Sequence, residues 1–192
     1  REYQKEAIRD AIIYIASGEY GSIEDLVAEN WRTNAELHER YKDAQEYEKN
    51  LQFPHKLSGV VDLATGTGKS YVMYGIGQIA LGLGLVDKVL VLCPSLTIEA
   101  GLTEKFKNLS GDDRIKATIP DGAIYKNPRI VDANSTIKNG DIAVENIHAV
   151  YDRTGSSIQD SLKGNGERVL VLNDEVHHAY NATADADIKK WK

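Results

Sequence analysis

The stretch Ala64-Thr65-Gly66-Thr67-Gly68-Lys69-Ser70 constrains the fold of this 192-residue chain more than any other. It sits between an apolar run, Gly59-Val60-Val61-Asp62-Leu63, that reads as a strand and a segment from Lys69 to about Leu83 that reads as a helix. A glycine-rich strand-to-helix turn ending in Gly-Lys-Ser has the form of a phosphate-binding loop. Its glycines let backbone N–H groups turn inward around an anion, and the helix N-terminus adds its dipole. Lys69 can reach the outer phosphates of a nucleotide, and the Ser70 hydroxyl can ligate Mg²⁺. The general pattern has a glycine where Leu63 stands, so the match rests on Gly66, Gly68, Lys69 and Ser70. A glycine-rich turn with a fortuitous lysine is the plainer reading, and the flanking strand and helix patterns weigh against it.

From Pro54 onward short apolar runs alternate with helical stretches, the pattern of an α/β fold with a parallel sheet covered on both faces. Val89 to Cys93 reads as a buried strand ended by Pro94, and Ser95 can cap a helix through Ile98, Leu102 and Phe106. Arg129-Ile130-Val131 and Ile142-Ala143-Val144 read as strands, with Asn139-Gly140 a turn before the second. Val169 to Leu172 is the last clear strand and runs directly into Asn173-Asp174-Glu175. A buried strand thus delivers two carboxylates to its carboxyl end, where ligands gather in open α/β sheets. Asp174 suits a metal shell, and Glu175 suits a group that orients and deprotonates water. A solvated acidic turn is the alternative.

The opening residues lead into a helix with Ala7, Ile8, Ala11, Ile12 and Ile15 on one face, broken by Gly18 and Gly21. Ser22 then caps an amphipathic helical insertion over about residues 22–51, with Ile23, Val27, Trp31 and Ala35 four apart and the pattern continuing through Leu37, Tyr41 and Ala44 before Pro54. Between Ser22 and Lys49 stand eight acidic and four basic residues, so this segment supplies −4 of the net −6. The remainder is nearly neutral and can carry a local positive face. Trp31, Tyr41 and Tyr47 stand among acids that would repel nucleic-acid phosphates, so docking within the protein or onto a partner domain suits them better.

With 42% hydrophobic and 27% charged residues, disorder is excluded as a general state. The single cysteine, Cys93, cannot form an internal disulfide, and the start carries no signal-peptide pattern, so a cytoplasmic location is expected. The uncharged stretch Tyr71 to Val86 is shorter than the roughly 18 residues a span requires, and reads as a buried helix, so no membrane partner is expected. His38, His55 and His148 are scattered, and His177-His178 lack zinc-ligand spacing. No Gly-x-Ser-x-Gly turn follows a strand, which argues against a Ser-His-Asp nucleophile.

With these motifs in view, Ala64 to Ser70 resembles motif I, and Asp174-Glu175-Val176-His177 the DEAH-type motif II, of superfamily 2 helicases of the DEAD/DEAH-box kind. Tyr3-Gln4 with Arg1 resembles the Q-motif, and Val91 to Thr97 resembles motif Ia. More narrowly, ATGTGKS, CPSLTIEAGL, GDIAVENIHAVY and NDEVHHAY together are similar to the Res subunits of type III restriction enzymes. Val176 departs from the usual alanine. The resemblance implies a RecA-like P-loop NTPase domain over residues 1–192, the first of two such domains, the second being absent from this chain. It implies an ATP-hydrolysing DNA helicase or translocase motor with ATP and Mg²⁺ as cofactors.

The implied nucleotide site comprises Tyr3, Gln4, Thr65, Gly66, Thr67, Gly68, Lys69, Ser70 and His177. Lys69, Asp174 and Glu175 would be catalytic, and Ser70 and Asp174 would hold the metal. His177 would couple the site to the second domain, which would bring an arginine finger. Nucleic-acid contacts fall by position on Pro94, Ser95, Thr97, Asn146 and His148, whose alternatives are a helix cap for Ser95 and turn or core roles for Asn146 and His148. DNA, the second RecA-like domain and methyltransferase or specificity subunits are the implied partners. A nucleotide-responsive binding module without catalysis is the competing reading. A small-molecule P-loop kinase fits the Asp-Glu-Val-His quartet poorly and shows no evident lid.

Overall fold

A computed structural model describes residues 1–16, 22–51, 57–132, 134–147, 161–162, 164 and 166–175. Along the chain run α1 (Glu2–Ala16), α2 (Ile23–Thr33), α3 (Ala35–Arg40), α4 (Ala44–Lys49), α5 (Lys69–Gly82), β1 (Lys88–Cys93), α6 (Leu96–Gly111), α7 (Asp113–Lys116), β2 (Arg129–Val131), β3 (Asp141–Asn146) and β4 (Val169–Asn173). The chain divides into two compact units, one of Arg1–Ile12 with Leu63–Lys192 and one of Ile13–Asp62.

The larger unit is built on a parallel four-stranded sheet of order β2-β3-β1-β4. Every residue of β3 and all but the first of β1 are buried; β1 reads as an unbroken apolar run, whereas β3 holds only Ile142 to Val144 between buried Asp141 and buried Glu145 and Asn146. On one face Val89, Val91, Cys93, Ile142 and Val144 pack with Leu81 of α5 and Leu102 and Phe106 of α6. The Tyr74 and Phe106 rings meet edge to face at 5.5 Å and join α5 to α6. Gly77 of α5 faces Val89 and Ile142 of the sheet. The other face gathers Leu90, Leu92, Val131, Ile137, Ala143 and Ile147. Buried Asp141 opens β3, and its carboxylate takes a two-pronged bond from Arg129 of β2 at 3.1 and 2.7 Å.

The uncharged run Tyr71 to Val86 becomes α5 and the residues after it, and among the described residues no helix is long and apolar enough to cross a membrane. The expected half-buried face of α1, with Ile8 and Ile12, is present. Gly59 to Leu63, expected as a strand, forms none, and Val60 is 69% exposed. A β-favouring run becomes a strand only where a partner ladder meets it. Here the Ser58 carbonyl instead accepts the Tyr14 hydroxyl at 2.7 Å, and Gly59 lies beside the Tyr14 ring.

In the smaller unit the single long helix expected from Ser22 onward is three. Asn34 ends α2, and its side chain accepts from the Glu36 N–H to start α3. The Asp43 side chain accepts from the Glu46 N–H at 2.8 Å and Glu46 reaches back to the Lys42 N–H, a reciprocal cap that starts α4. Short polar side chains that bond their own backbone beat the apolar periodicity at both breaks. Ser22 caps α2 as expected, Leu26 and Val27 are buried, and Trp31 and Tyr41 lie against His38 and Tyr47. Gly18, Gly21 and Pro54, which were expected to bound these helices, lie outside the described residues.

Glu145 of β3 is fully buried, and among the described residues its carboxylate oxygens have no partner of good hydrogen-bond geometry. Burial, reinforced by the Glu99 charge, pushes its carboxyl up to about 7. A carboxyl raised on folding favours the protonated native state, so its contribution is full below the ordinary value of 4.5 and is lost as pH rises through about 7. Urea unfolding of wild type is therefore expected to weaken between pH 5 and 7.5 by roughly 2–3 kcal/mol, and Glu145→Gln to remove most of that slope. Parallel pH profiles for the two proteins would refute this account.

Candidate nucleotide site

The carboxyl ends of β1 and β4 lie side by side, because Leu92 pairs with Asn173 and the Asp174 N–H continues the ladder to the Leu92 carbonyl at 2.8 Å. After β1 the chain turns away through α6 to β2 and β3 on one side, while β4 lies on the other. That reversal opens a crevice above the strand ends, the place where open α/β sheets hold ligands.

The loop from Ala64 to Gly68 leads into Lys69 and Ser70, which stand beside Glu175 and Asp174 at this crevice. Thr67 bonds back to the Ala64 carbonyl through its N–H at 3.3 Å and its hydroxyl at 2.6 Å, closing the turn. Gly66 and Gly68 stand at φ 79° and 88°, in the left-handed region that favours glycine. Gly68 is the N-cap of α5 and supplies no side chain to the first helical N–H groups, which leaves the positive end of a 14-residue helix facing the loop.

Residues from α1 brace the loop. The Tyr3 hydroxyl and the Gln4 side-chain amide both donate to the Thr67 carbonyl at 2.8 Å. A Cβ at Gly68 would lie 2.5 Å from that Gln4 nitrogen, so the brace itself needs glycine there. Gly75 of α5 allows the close approach of Ile8, which seats α1.

Lys69 Nζ lies 3.7 Å from Glu175 Oε1, with both side chains about one-third exposed at 34% and 32%. Glu175 itself stands at φ 54°, a backbone region costly for any residue with a Cβ. Ser70 and Asp174 line one cleft of about 290 Å³ with Ile98, Gly101, Leu102 and Lys105 of α6. A hydroxyl and a carboxylate are hard oxygen donors of the kind Mg²⁺ accepts while keeping water and phosphate oxygens in its shell. Among the described residues no group of three or more His, Cys, Asp or Glu side chains is arranged to hold a metal ion by itself, and a magnesium–phosphate site does not require one.

The structure brings together Tyr3, Gln4 and Thr67, Lys69 with Glu175, and Ser70 with Asp174. Thr65 is exposed on the loop. Ser95 caps α6, accepting from the Ile98 N–H at 3.4 Å, while Pro94 is half-buried beside it and Thr97 is exposed. Asn146 is buried at the end of β3, where its N–H and side-chain amide both donate to Glu99 of α6, at 3.2 and 2.7 Å. That contact serves packing of α6 on the sheet. His148, Val176, His177 and His178 lie outside the described residues.

Lys105 escaped the sequence reading. Its Nζ donates to the Ser70 hydroxyl at 3.3 Å and stands 4.7 Å from the centre of the Tyr71 ring. The available signal was its place on the cleft face of α6, three to seven residues after Ile98, Gly101 and Leu102, which shows only once α6 is known to border the loop.

A glycine-rich loop and buried helix at the carboxyl edge of a parallel sheet define a P-loop domain of α/β class. Over residues 1–192 the chain matches the family model described as type III restriction enzyme, res subunit. It belongs to that family, a RecA-like P-loop family of helicase superfamily 2 N-terminal domains whose members generally use ATP and Mg²⁺. The comparison with curated proteins and that with solved structures gave no match.

Gly68→Ala is expected to weaken binding of a fluorescent ATP analogue at least about tenfold, since it strains the left-handed cap and displaces Gln4. Gly101→Ala, on the cleft wall with open space around its Cβ, serves as control and should bind within about twofold of wild type. Equal affinity of the Gly68 and Gly101 variants would contradict the role given to the cap.

Proposed function

We propose that this domain is the ATP-binding motor domain of a DNA helicase or translocase, a Res-like restriction subunit, and that it hydrolyses ATP in the full-length protein. The observation that carries the reading is the approach of Lys69 to Glu175, joining the first residue of α5 to the turn after β4 across the crevice. Two segments more than a hundred residues apart in sequence thereby share one small volume with complementary charge.

In this reading the loop N–H groups and the α5 terminus bind the phosphates, and Lys69 neutralises charge on the outer ones. Ser70 and Asp174 would hold Mg²⁺, which when bound screens the phosphate oxygens and favours charge build-up on the leaving group. Glu175 orients the attacking water and takes its proton; a nucleotide drawing Lys69 toward phosphate frees the carboxylate for that task. Tyr3 and Gln4 hold Thr67, and by their resemblance to the Q-motif Gln4 is assigned to selecting the adenine base. His177 is assigned to coupling with a second RecA-like domain, which would bring the arginine finger, so this domain alone turns over poorly. Pro94, Ser95 and Thr97 at the start of α6 are offered to the DNA backbone, a contact that positions without reading sequence. Asn146 and His148 stay in that assignment by position alone. Methyltransferase or specificity subunits complete the partners and cytoplasm the location.

Phosphate release by the full-length protein, with and without duplex DNA, tests the reading. Lys69→Ala should abolish DNA-stimulated hydrolysis, and Glu175→Gln should lower it by about 10²-fold or more while nucleotide still binds. Retained hydrolysis in the Lys69 variant would sink the assignment. Nucleotide binding without phosphate release in wild type, with DNA affinity that changes on binding, would favour a switch module without catalysis.

A further inference from the structure

Helix α6 turns Ile98, Gly101, Leu102 and Lys105 toward the cleft that also exposes Ser70 and Asp174. Lys105 is half-buried there, its ammonium on the Ser70 hydroxyl at 3.3 Å and over the Tyr71 ring at 4.7 Å. Ser70 Oγ is the same atom that a P-loop offers to a divalent cation. A metal ion and an ammonium on one oxygen repel, and in a partly enclosed cleft that repulsion is less screened than in bulk water. The two cations therefore compete for a single acceptor. The half-exposed Tyr71 face already holds the ammonium in this placement, and that contact can persist when the bond to Ser70 is given up.

We propose that Lys105 is a built-in competitor of Mg²⁺ at Ser70, so that metal loading of the nucleotide site depends on where α6 holds its ammonium. Lys105 is a positioning residue here, acting through Ser70. The inference rests on the nucleotide-site reading above and adds a regulatory element to it. Because Ser95, Thr97 and Lys105 ride on one helix start and its third turn, a partner that shifts α6 changes metal affinity. By linkage, metal loading changes affinity for that partner equally.

The test is equilibrium binding of a fluorescent ATP analogue to the intact protein, from EDTA through millimolar Mg²⁺, for wild type, Lys105→Met and Lys105→Arg. Lys105→Met keeps the apolar stem and removes the charge. The Mg²⁺ concentration giving half-maximal tight binding is expected to fall about three- to tenfold in Lys105→Met, and to stay within about twofold of wild type in Lys105→Arg. Nucleotide affinity in EDTA should be unchanged or weaker in Lys105→Met, since a positive charge near the phosphates is lost. An unchanged or raised Mg²⁺ midpoint in Lys105→Met overturns the proposal, as does a Lys105→Arg protein that behaves like Lys105→Met. A purely structural lysine would lower melting temperature and weaken binding at every Mg²⁺ level without moving the midpoint. If wild type binds no nucleotide, or Lys69→Ala binds as well as wild type, the nucleotide-site reading itself has failed.

Discussion

The parallel ladder between β1 and β4 is the constraint on which the site depends. It runs in register from Lys88 with Val169 to Leu92 with Asn173, and one further bond, Asp174 N–H to the Leu92 carbonyl, carries it past the last strand residue. That bond fixes where the acidic pair leaves the sheet. A slip of one residue would send every side chain of β4 to the opposite face and carry Glu175 away from Lys69. Placement of the two carboxylates is therefore a property of the backbone pairing of β4 with β1, whose own side chains are buried.

The other half of the site is set by local chemistry. Glycines at positive φ and the Thr67 turn shape the loop, while one carbonyl, that of Thr67, collects donors from both Tyr3 and Gln4. Residues near the start of the chain thus hold a loop more than sixty positions downstream. The arrangement keeps the loop amides in a set orientation before a ligand meets them, which lowers the ordering cost of binding. Helix α6 supplies the third wall, anchored to the sheet through Glu99 on Asn146 and to α5 through Phe106 on Tyr74.

Much of this was legible in the sequence, and the reasons are specific. β1, β2 and β4 are short apolar runs closed by Pro94, by polar residues or by acids, and α5 follows a Gly-Lys-Ser signature, so burial and local breakers point to one assignment. Where they disagree, reading fails. Val60 and Val61 have strand-forming side chains, but pairing is a tertiary event and Tyr14 takes the neighbouring carbonyl. Asn34 and Asp43 look like ordinary polar positions in an amphipathic pattern until their side chains are seen to accept backbone N–H groups. That Lys69 and Glu175 share one site was expected from motif chemistry, whereas Lys105 and the Glu99–Asn146 contact depend on how α6 lies across the sheet, which no local pattern encodes.

The sheet has one side that its described residues leave unfinished. β4 pairs only with β1 among them, and Val171 in its middle is 46% exposed. An unpaired row of amides and carbonyls is a template onto which another extended segment can add, from the same chain or a neighbouring molecule. Among the described residues, the strand that presents the acidic pair is therefore the edge of its sheet.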